Sequence, residues 1–449
     1  MTIEARALKN EAIKNTLKAT REKHSLMRPI VIELKLDLKC LSKKERHVLE
    51  MYFVEGKWLK NYLLSLSDKD FRSFDTRTRD IHSLDKDKNK VPRHLEMPAK
   101  LIQSVCQQIK HDMKALAAKR RKTGRKNGKL KFVSDYTTFD LNQYNNTHWI
   151  CYGPDGDKNG RYKNTIHIAG IKRPIRAFGM EQIPTGAEPA NAKLIRKPSG
   201  IYVHLTCYLP AAGPAVSEDE KDDVDRLLEA MGTDLGIKTT ITTSDGRKYD
   251  ISIRETERLK GLQRKLARQI KGSKGWYATR ELIRREYEKI TNRRKDKADK
   301  VFHDIAEGQE VLVIQDDNIQ GWQKGLFGKQ VQNSCLGTLK SKFKADPRTV
   351  VINRWFPSTA VCPICGHKHD GMTLGVEEFV CPVCGYTEER DTKGAITTLL
   401  AGEIEYSSTH TERMRTPVEL TSDFLSFYEG WKQSALNPEA PSSTGIISQ

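Results

Sequence analysis

No run of about 18 apolar residues occurs anywhere in this 449-residue chain, so no segment has the length and hydrophobicity of a membrane-spanning helix. The opening stretch MTIEARALKNEAIKN also lacks the apolar core of a secretory signal, and a cytoplasmic protein with no membrane partner is expected. Acidic residues are the minority: 58 Asp and Glu stand against 77 Lys and Arg, for a net charge of +19. An excess of that size asks for a polyanionic partner, nucleic acid before an anionic membrane surface. A disulfide framework is missing too. Of nine cysteines, an odd number, Cys40, Cys106, Cys151, Cys207 and Cys335 are scattered without framework spacing and are expected as buried or inert thiols. Aromatic residues make up 7%, and those on helical stripes, Trp58, Tyr62, Trp276 and Tyr277, are expected in the core rather than on a base-stacking surface.

The other four cysteines are organised. Two C-P-x-C-G knuckles, Cys362/Cys365 and Cys381/Cys384, stand 15 residues apart. Each C-x2-C pair supplies two thiolates from one tight turn, and two pairs at this spacing make a four-thiolate zinc site. Gly366 and Gly385 let the knuckles turn. Four thiolates leave no open coordination position, so the Zn2+ would be structural and His367 and His369 in the spacer solvated. Just beyond, Asp391 opens a helical pattern of small and apolar residues through Ala395, Leu399 and Leu400.

Along the rest of the chain the texture changes twice. Residues 1–27 read as a basic helical lead-in, and Ile30, Ile32, Leu34 and Leu36 alternate with polar neighbours as a half-buried strand does. From about 42 to 118 the apolar spacing is helical, and this stretch ends in the basic run Lys119, Arg120, Arg121, Lys122, Arg125, Lys126, Lys129 and Lys131, either a solvated segment or a phosphate contact. Residues 132–209 return to strand and turn. The acidic stretch AAGPAVSEDEKDDVD reads as a linker. After it come a strand carrying Asp234, a hairpin signal at Ser244-Asp245-Gly246-Arg247, and a long basic helical region from Glu255 to Glu307 broken at Gly272-Ser273-Lys274-Gly275. Two apolar stripes mark that region, Leu259, Leu262, Leu266 and Ile270, then Leu282, Ile283, Tyr287 and Ile290. Val311-Leu312-Val313-Ile314 is a continuous apolar run, as in a strand buried on both faces, and it ends in Gln315-Asp316-Asp317. A Gly- and Lys-rich loop, a strand near Val350, the knuckles and Asp391 follow.

Asp234, Asp316/Asp317 and Asp391 thus stand at the ends of separate core elements. Singly, each has an ordinary reading as a turn acid, a solvated loop acid or a helix cap. Brought together, such carboxylates could hold two Mg2+ ions about 4 Å apart for phosphodiester hydrolysis.

With the ribbon, these segments resemble the RuvC-type nuclease core of transposon-encoded TnpB proteins and of miniature type V (V-F-like) CRISPR effectors, over about Met231 to Leu400. The matching motifs are TDLGIK, QDDNIQGW, FGKQVQ, WFPSTAVCPICG and CPVCGYTEERDTKGA. The resemblance implies catalytic, Mg2+-binding acids at Asp234, Asp317 and Asp391, with structural Zn2+ on Cys362, Cys365, Cys381 and Cys384. It further implies an RNA-guided DNA endonuclease whose partners are a guide RNA and target double-stranded DNA, in prokaryotic antiviral defence or transposition; a homodimer on one guide suits the short recognition region. One position departs from the pattern: the family's second acid is usually glutamate, and Asp317 is one methylene shorter. Neutral Gln315, on the same strand face, cannot replace it, and Asp316 would point to the other face. A cleavage-deficient RNA-guided binder and a guide-free resolvase or transposase-associated nuclease therefore stay open.

The expected fold is α+β and multidomain. It has a lead-in at 1–27, a β-barrel wedge domain at 28–210 with a helical recognition insertion at about 40–130, and a linker at 211–226. An RNase H-like (RuvC) α/β core at 227–350 and 391–405 surrounds an inserted four-cysteine zinc ribbon at 351–390, and a partly disordered tail at 406–449 closes the chain.

Overall fold

The alternation of Ile30, Ile32, Leu34 and Leu36 becomes the middle of a sheet in the computed structural model, with Ile32, Leu34 and Leu36 buried. The structure describes residues 3–84, 89–124, 128–142, 149–156, 158–210, 227–369 and 375–436, and its contacts divide the chain into two units, Met1–Ala215 and Val216–Gln449. The linker expected at 211–226, Arg125 and Lys126 of the basic run, and residues 437–449 of the expected tail lie outside the described residues.

In the first unit, α1 (Ile3–Ser25) leads into β1 (Met27–Leu36). The chain then leaves the sheet for α2 (Lys43–Ser65), α3 (Asp68–Ser73), a hairpin of β2 (Asp80–Leu84) and β3 (Lys90–His94), and α4 (Ala99–Thr123). It returns as β4 (Thr138–Asn142), β5 (Trp149–Tyr152), β6 (Thr165–Ile168), β7 (Ile175–Phe178), β8 (Glu188–Lys197) and β9 (Gly200–Pro210). These strands form a seven-stranded near-barrel sheet in the order β4-β8-β9-β1-β7-β6-β5, antiparallel at each pairing. Ser42 caps α2 in a reciprocal capping box with Glu45, and Leu49, Phe53, Leu59 and Leu63 of α2 join Leu101, Ile102, Val105 and Ile109 of α4 in the sheet's core. The hairpin inside the helical insertion has no sequence signature, because its alternation is carried by few apolar residues. Its context is tertiary: Tyr62 meets His82 edge-on, and the Arg93 guanidinium lies 4.5 Å over the Trp58 ring.

In the second unit, β10 (Leu227–Leu235), β11 (Ile241–Thr243) and β12 (Lys248–Tyr249) form an antiparallel meander whose last turn has Gly246 at φ +84°, as the Ser-Asp-Gly-Arg signal predicts. Helices α5 (Glu257–Arg268) and α6 (Lys274–Ala306) follow, broken where expected, with Ser273 capping α6. Leu259, Ile283 and Ile290 pack together. Ile270, Leu282 and Tyr287 do not belong to the stripes assigned to them: Ile270 lies beyond the end of α5, and Leu282 and Tyr287 fall one step off the Ile283–Ile290 face and are exposed. Tyr277 is exposed as well, whereas Trp58 and Tyr62 pack on the core as expected.

The central strand β13 (Val311–Gln315) pairs parallel with β10 and with β14 (Thr349–Ile352), after the short helices α7 (Ile319–Lys324) and α8 (Gly328–Asn333) and the helix α9 (Leu336–Ala345). Where a loop is expected, α7 and α8 are single turns punctuated by glycines. The sheet order is β12-β11-β10-β13-β14. All five residues of β13 are buried because both faces are covered: Leu312 and Ile314 meet α6 and α9, while Val311 and Val313 face the other layer. That other layer is built after the ribbon strands β15 (Glu378–Val380) and β16 (Thr387–Glu389), by α10 (Arg390–Ser407), β17 (Arg413–Arg415) and α11 (Ser422–Leu436). Residues 406–436, expected as part of a tail, thus pair a strand with β10 and bury Met414, Phe424 and Tyr428. Their polar composition hides three anchors spaced too widely for a local pattern.

Candidate metal centres

The two knuckles fold alike. Gly366 N–H donates to Cys362 O at 3.1 Å and Gly385 N–H to Cys381 O at 3.0 Å, and both glycines have positive φ, +63° and +75°. Across the knuckles, Cys362 Sγ lies 3.6 Å from Cys384 Sγ and Cys365 Sγ 3.5 Å from Cys381 Sγ, with all four sulfurs within 4.8 Å of one another and none in a disulfide. Thiolates about 2.3 Å from a central zinc stand about 3.8 Å apart, so the cluster fits a tetrahedral Zn2+. Burial pushes the Cys362 thiol up; Cys381, although burial opposes it, is drawn down to about 7 by the backbone N–H groups of Cys384 and Val383. His367 is exposed and His369 lies against Phe379, outside the thiol set.

The aspartates arrive from three elements. Asp234 ends β10, Asp317 follows β13, and Asp391 lies in the first turn of α10, where a carboxylate suits the helix dipole. Asp234 is partly buried, and desolvation together with the negative charges of Asp391 and Asp317 pushes its carboxyl up to about 8, against the pull of Lys393 and Arg390. Asp317 is pushed up to about 6 by burial, with Asp316 adding to the rise and Lys340 and Arg354 opposing it. Hard oxygen donors crowded until they resist ionisation are a set that a divalent cation would relieve. Asp391 also accepts from its neighbour, Arg390 Nη2 lying 3.2 Å from Oδ1.

The adjacent acids, both past the end of β13, have different surroundings. Asp316 turns to the α9 side, where Lys340 and Lys344 lie 2.6 Å and Arg354 2.8 Å from its oxygens, and these cations hold it well below the usual carboxylate range. Asp317 lies near enough to Asp234 to act on its carboxyl.

Glycines set how closely α10 approaches the sheet. A Cβ on Gly232 would lie 2.4 Å from the Ala395 carbonyl oxygen, and one on Gly402 2.4 Å from Val313 Cγ1. At Gly394 a Cβ would lie 3.0 Å from Asp234 Oδ2, so this glycine makes the room that the carboxylate occupies. Between the acids and the thiols sits Lys393, fully buried, which donates from Nζ to the carbonyls of Ser358 (2.9 Å) and Val361 (3.0 Å) and lies 4.3 Å over the Phe379 ring. Sequence reasoning missed Lys393, Gly394, Lys340 and Arg354. A lysine in register with Ile396 and Leu400 on an apolar helix face was the available signal for Lys393.

Comparison with known proteins places these features in context. A family model described as "Probable transposase" (OrfB of IS605) matches residues 215–324, which include Asp234 and Asp317. A second, "Cas12f1-like, TNB domain", matches residues 337–398, which include the four cysteines and Asp391. A "Putative RNA-guided DNA endonuclease" of Streptomyces pristinaespiralis is 29% identical over 247 residues, 53% of this chain and 59% of that protein. A "Putative RNA-guided DNA endonuclease InsQ" of Escherichia coli (strain K12) is 26% identical over 198 residues, 38% of this chain and 48% of that protein. The chain thus spans about half the length of the curated relatives it matches. Through the segments that carry its acids and its thiols, the chain is similar to the transposase family of the first model and to the Cas12f1-like TNB domain of the second.

Proposed function

We propose that this protein is an RNA-guided DNA endonuclease that hydrolyses target DNA with Mg2+ held by Asp234, Asp317 and Asp391. The observation that carries the reading is the placement of the Asp234 carboxylate against Gly394 at the start of α10, three residues from Asp391; burial, and then the charges of Asp391 and Asp317, raise that carboxyl. The order β12-β11-β10-β13-β14, with β10, β13 and β14 parallel, supports an RNase H-like core around them. When bound, Mg2+ would activate a water and offset charge on the leaving oxygen. The chain's own contribution is placement. Asp316 is neutralised by three cations, which leaves Asp317 as the acid free to join Asp234, and Gly394 lets the Asp234 carboxylate lie against the start of α10. A guide RNA and target DNA are the partners that the net charge of +19 supports.

The test is cleavage of a plasmid library with a randomised flank beside a guide-matched target, using protein expressed with its neighbouring noncoding RNA, with Mg2+ and with EDTA. Metal-dependent cutting beside one flanking motif is expected; absence of guide-dependent binding would overturn the reading. A second reading, a guided binder that does not cut, draws on the short side chain at position 317. It expects tight guided binding without cleavage, and cleavage gained in Asp317→Glu.

A further inference from the structure

A chain of buried polar contacts runs from the thiol cluster to two of the acids. Beginning at the ribbon, Lys393 Nζ donates to Val361 O, the carbonyl just before Cys362, and to Ser358 O. Ser358 Oγ donates to Gln315 Oε1 at 2.9 Å, and Gln315 Nε2 donates to the carbonyls of Asn353 (3.2 Å) and Phe356 (2.6 Å). Lys393, Ser358 and Gln315 are 0, 4 and 6% exposed. Gln315 lies two residues before Asp317 at the end of β13, and Lys393 two residues after Asp391 at the start of α10. The segment 353–361 is therefore tied to two of the three acid-bearing elements, β13 and α10, and its last residue adjoins the first thiol.

A lysine in such a place is costly unless its donors are all used. Here two carbonyls and the Phe379 ring receive Nζ, so the side chain serves as a peg that a hydrophobic residue could not replace. Its hydrogen bonds go to the segment before the first knuckle and its ring contact to β15, while its charge also acts on Asp234.

We propose that Lys393, acting through Ser358 and Gln315, is a positioning residue that fixes Asp391 and Asp317 relative to each other and makes their spacing depend on the folded ribbon. The inference rests on the three-acid reading above. It implies that breaking the peg weakens divalent-cation binding at the acids while leaving the zinc and the nucleic-acid surfaces in place.

The experiment uses the full chain, zinc-loaded and carrying its RNA, with Mn2+ as the probe, titrated calorimetrically and in single-turnover cleavage. Lys393→Met is expected to retain one zinc and wild-type guide and target affinity, to bind Mn2+ about tenfold or more weakly, and to regain much of its cleavage rate at saturating Mn2+. Because Mn2+ would also offset general destabilisation by mass action, thermal melts in EDTA must show the variant folded at the assay temperature. Ser358→Ala removes only the link to Gln315 and covers the case in which Lys393→Met does not fold; a loss of Mn2+ affinity of about threefold or more is expected. Affinity and cleavage within twofold of wild type in the folded variants overturn the positioning role alone. Failure of the wild-type chain to bind Mn2+, with Asp234→Asn no different, overturns the three-acid reading and this inference with it.

Discussion

At the scale of single residues, Asp234 and Asp317 are placed where charge is resisted, and pH exposes it. The Asp234 carboxyl is raised to about 8 from an ordinary 3.8, so the folded chain holds a proton that the unfolded chain releases. Without a divalent cation, its contribution to stability falls as pH rises through the window from about 4 to 8. In magnesium-free buffer at pH 8.5, Asp234→Asn should be more stable than wild type by roughly 1–3 kcal/mol, given the partial exposure of the site, and the difference should vanish near pH 4. Thermal melts across pH check this. Binding of Mg2+ at pH 7 should release about one proton per chain, read from calorimetric titrations in buffers of different ionisation enthalpy. Asp316 is the contrasting case. With three cations on it, Asp316→Asn should lower stability while sparing cation affinity, the reverse of Asp317→Asn.

Between elements, the decisive contact is α10 on the sheet. Gly402→Ala drives a methyl into Val313 and should cost about 1–3 kcal/mol in urea unfolding without altering cation affinity. Gly394→Ala should show the opposite balance, because the added methyl displaces the Asp234 carboxylate rather than a packed core: little change in stability, and a fall of about tenfold or more in Mn2+ affinity. The ribbon acts on the same helix, since β16 runs without a break into α10. Stripping zinc, or Cys381→Ser, should raise hydrogen exchange at residues 390–395 while the amides of β13 stay protected; unchanged exchange there would separate the ribbon from the acids.

For the molecule as a whole, each unit has its own buried core, one around Leu34, Phe53, Phe139 and Leu205, the other split between the two faces of β13. Fragments divided between residues 215 and 216 should each unfold cooperatively, and only the second should bind zinc. Affinity of the full chain for nucleic acid should drop by about a thousandfold or more between 50 and 200 mM salt if six or more phosphates are engaged. Filter binding across salt gives the slope, and a flat dependence would mean that the surplus of Lys and Arg is not the binding surface.

What the chain order determined unaided was whatever short range decides. Two C-x2-C turns with a glycine after each need only local backbone and thiolate chemistry, and the structure closes them. Alternation in β1, the unbroken apolar run of β13, the Asp-Gly turn and the break before Ser273 were legible for the same reason: period and turn chemistry act over a few residues. The tertiary structure alone decided the rest. Whether Asp234, Asp317 and Asp391 face one another depends on strand register and on how near three glycines let α10 lie, distances between elements far apart in sequence. The burial of Lys393, the hairpin beside Trp58, and the anchoring of β17 and α11 are likewise settled by partners that no local pattern names, because a side chain's environment is made by whatever the fold brings against it.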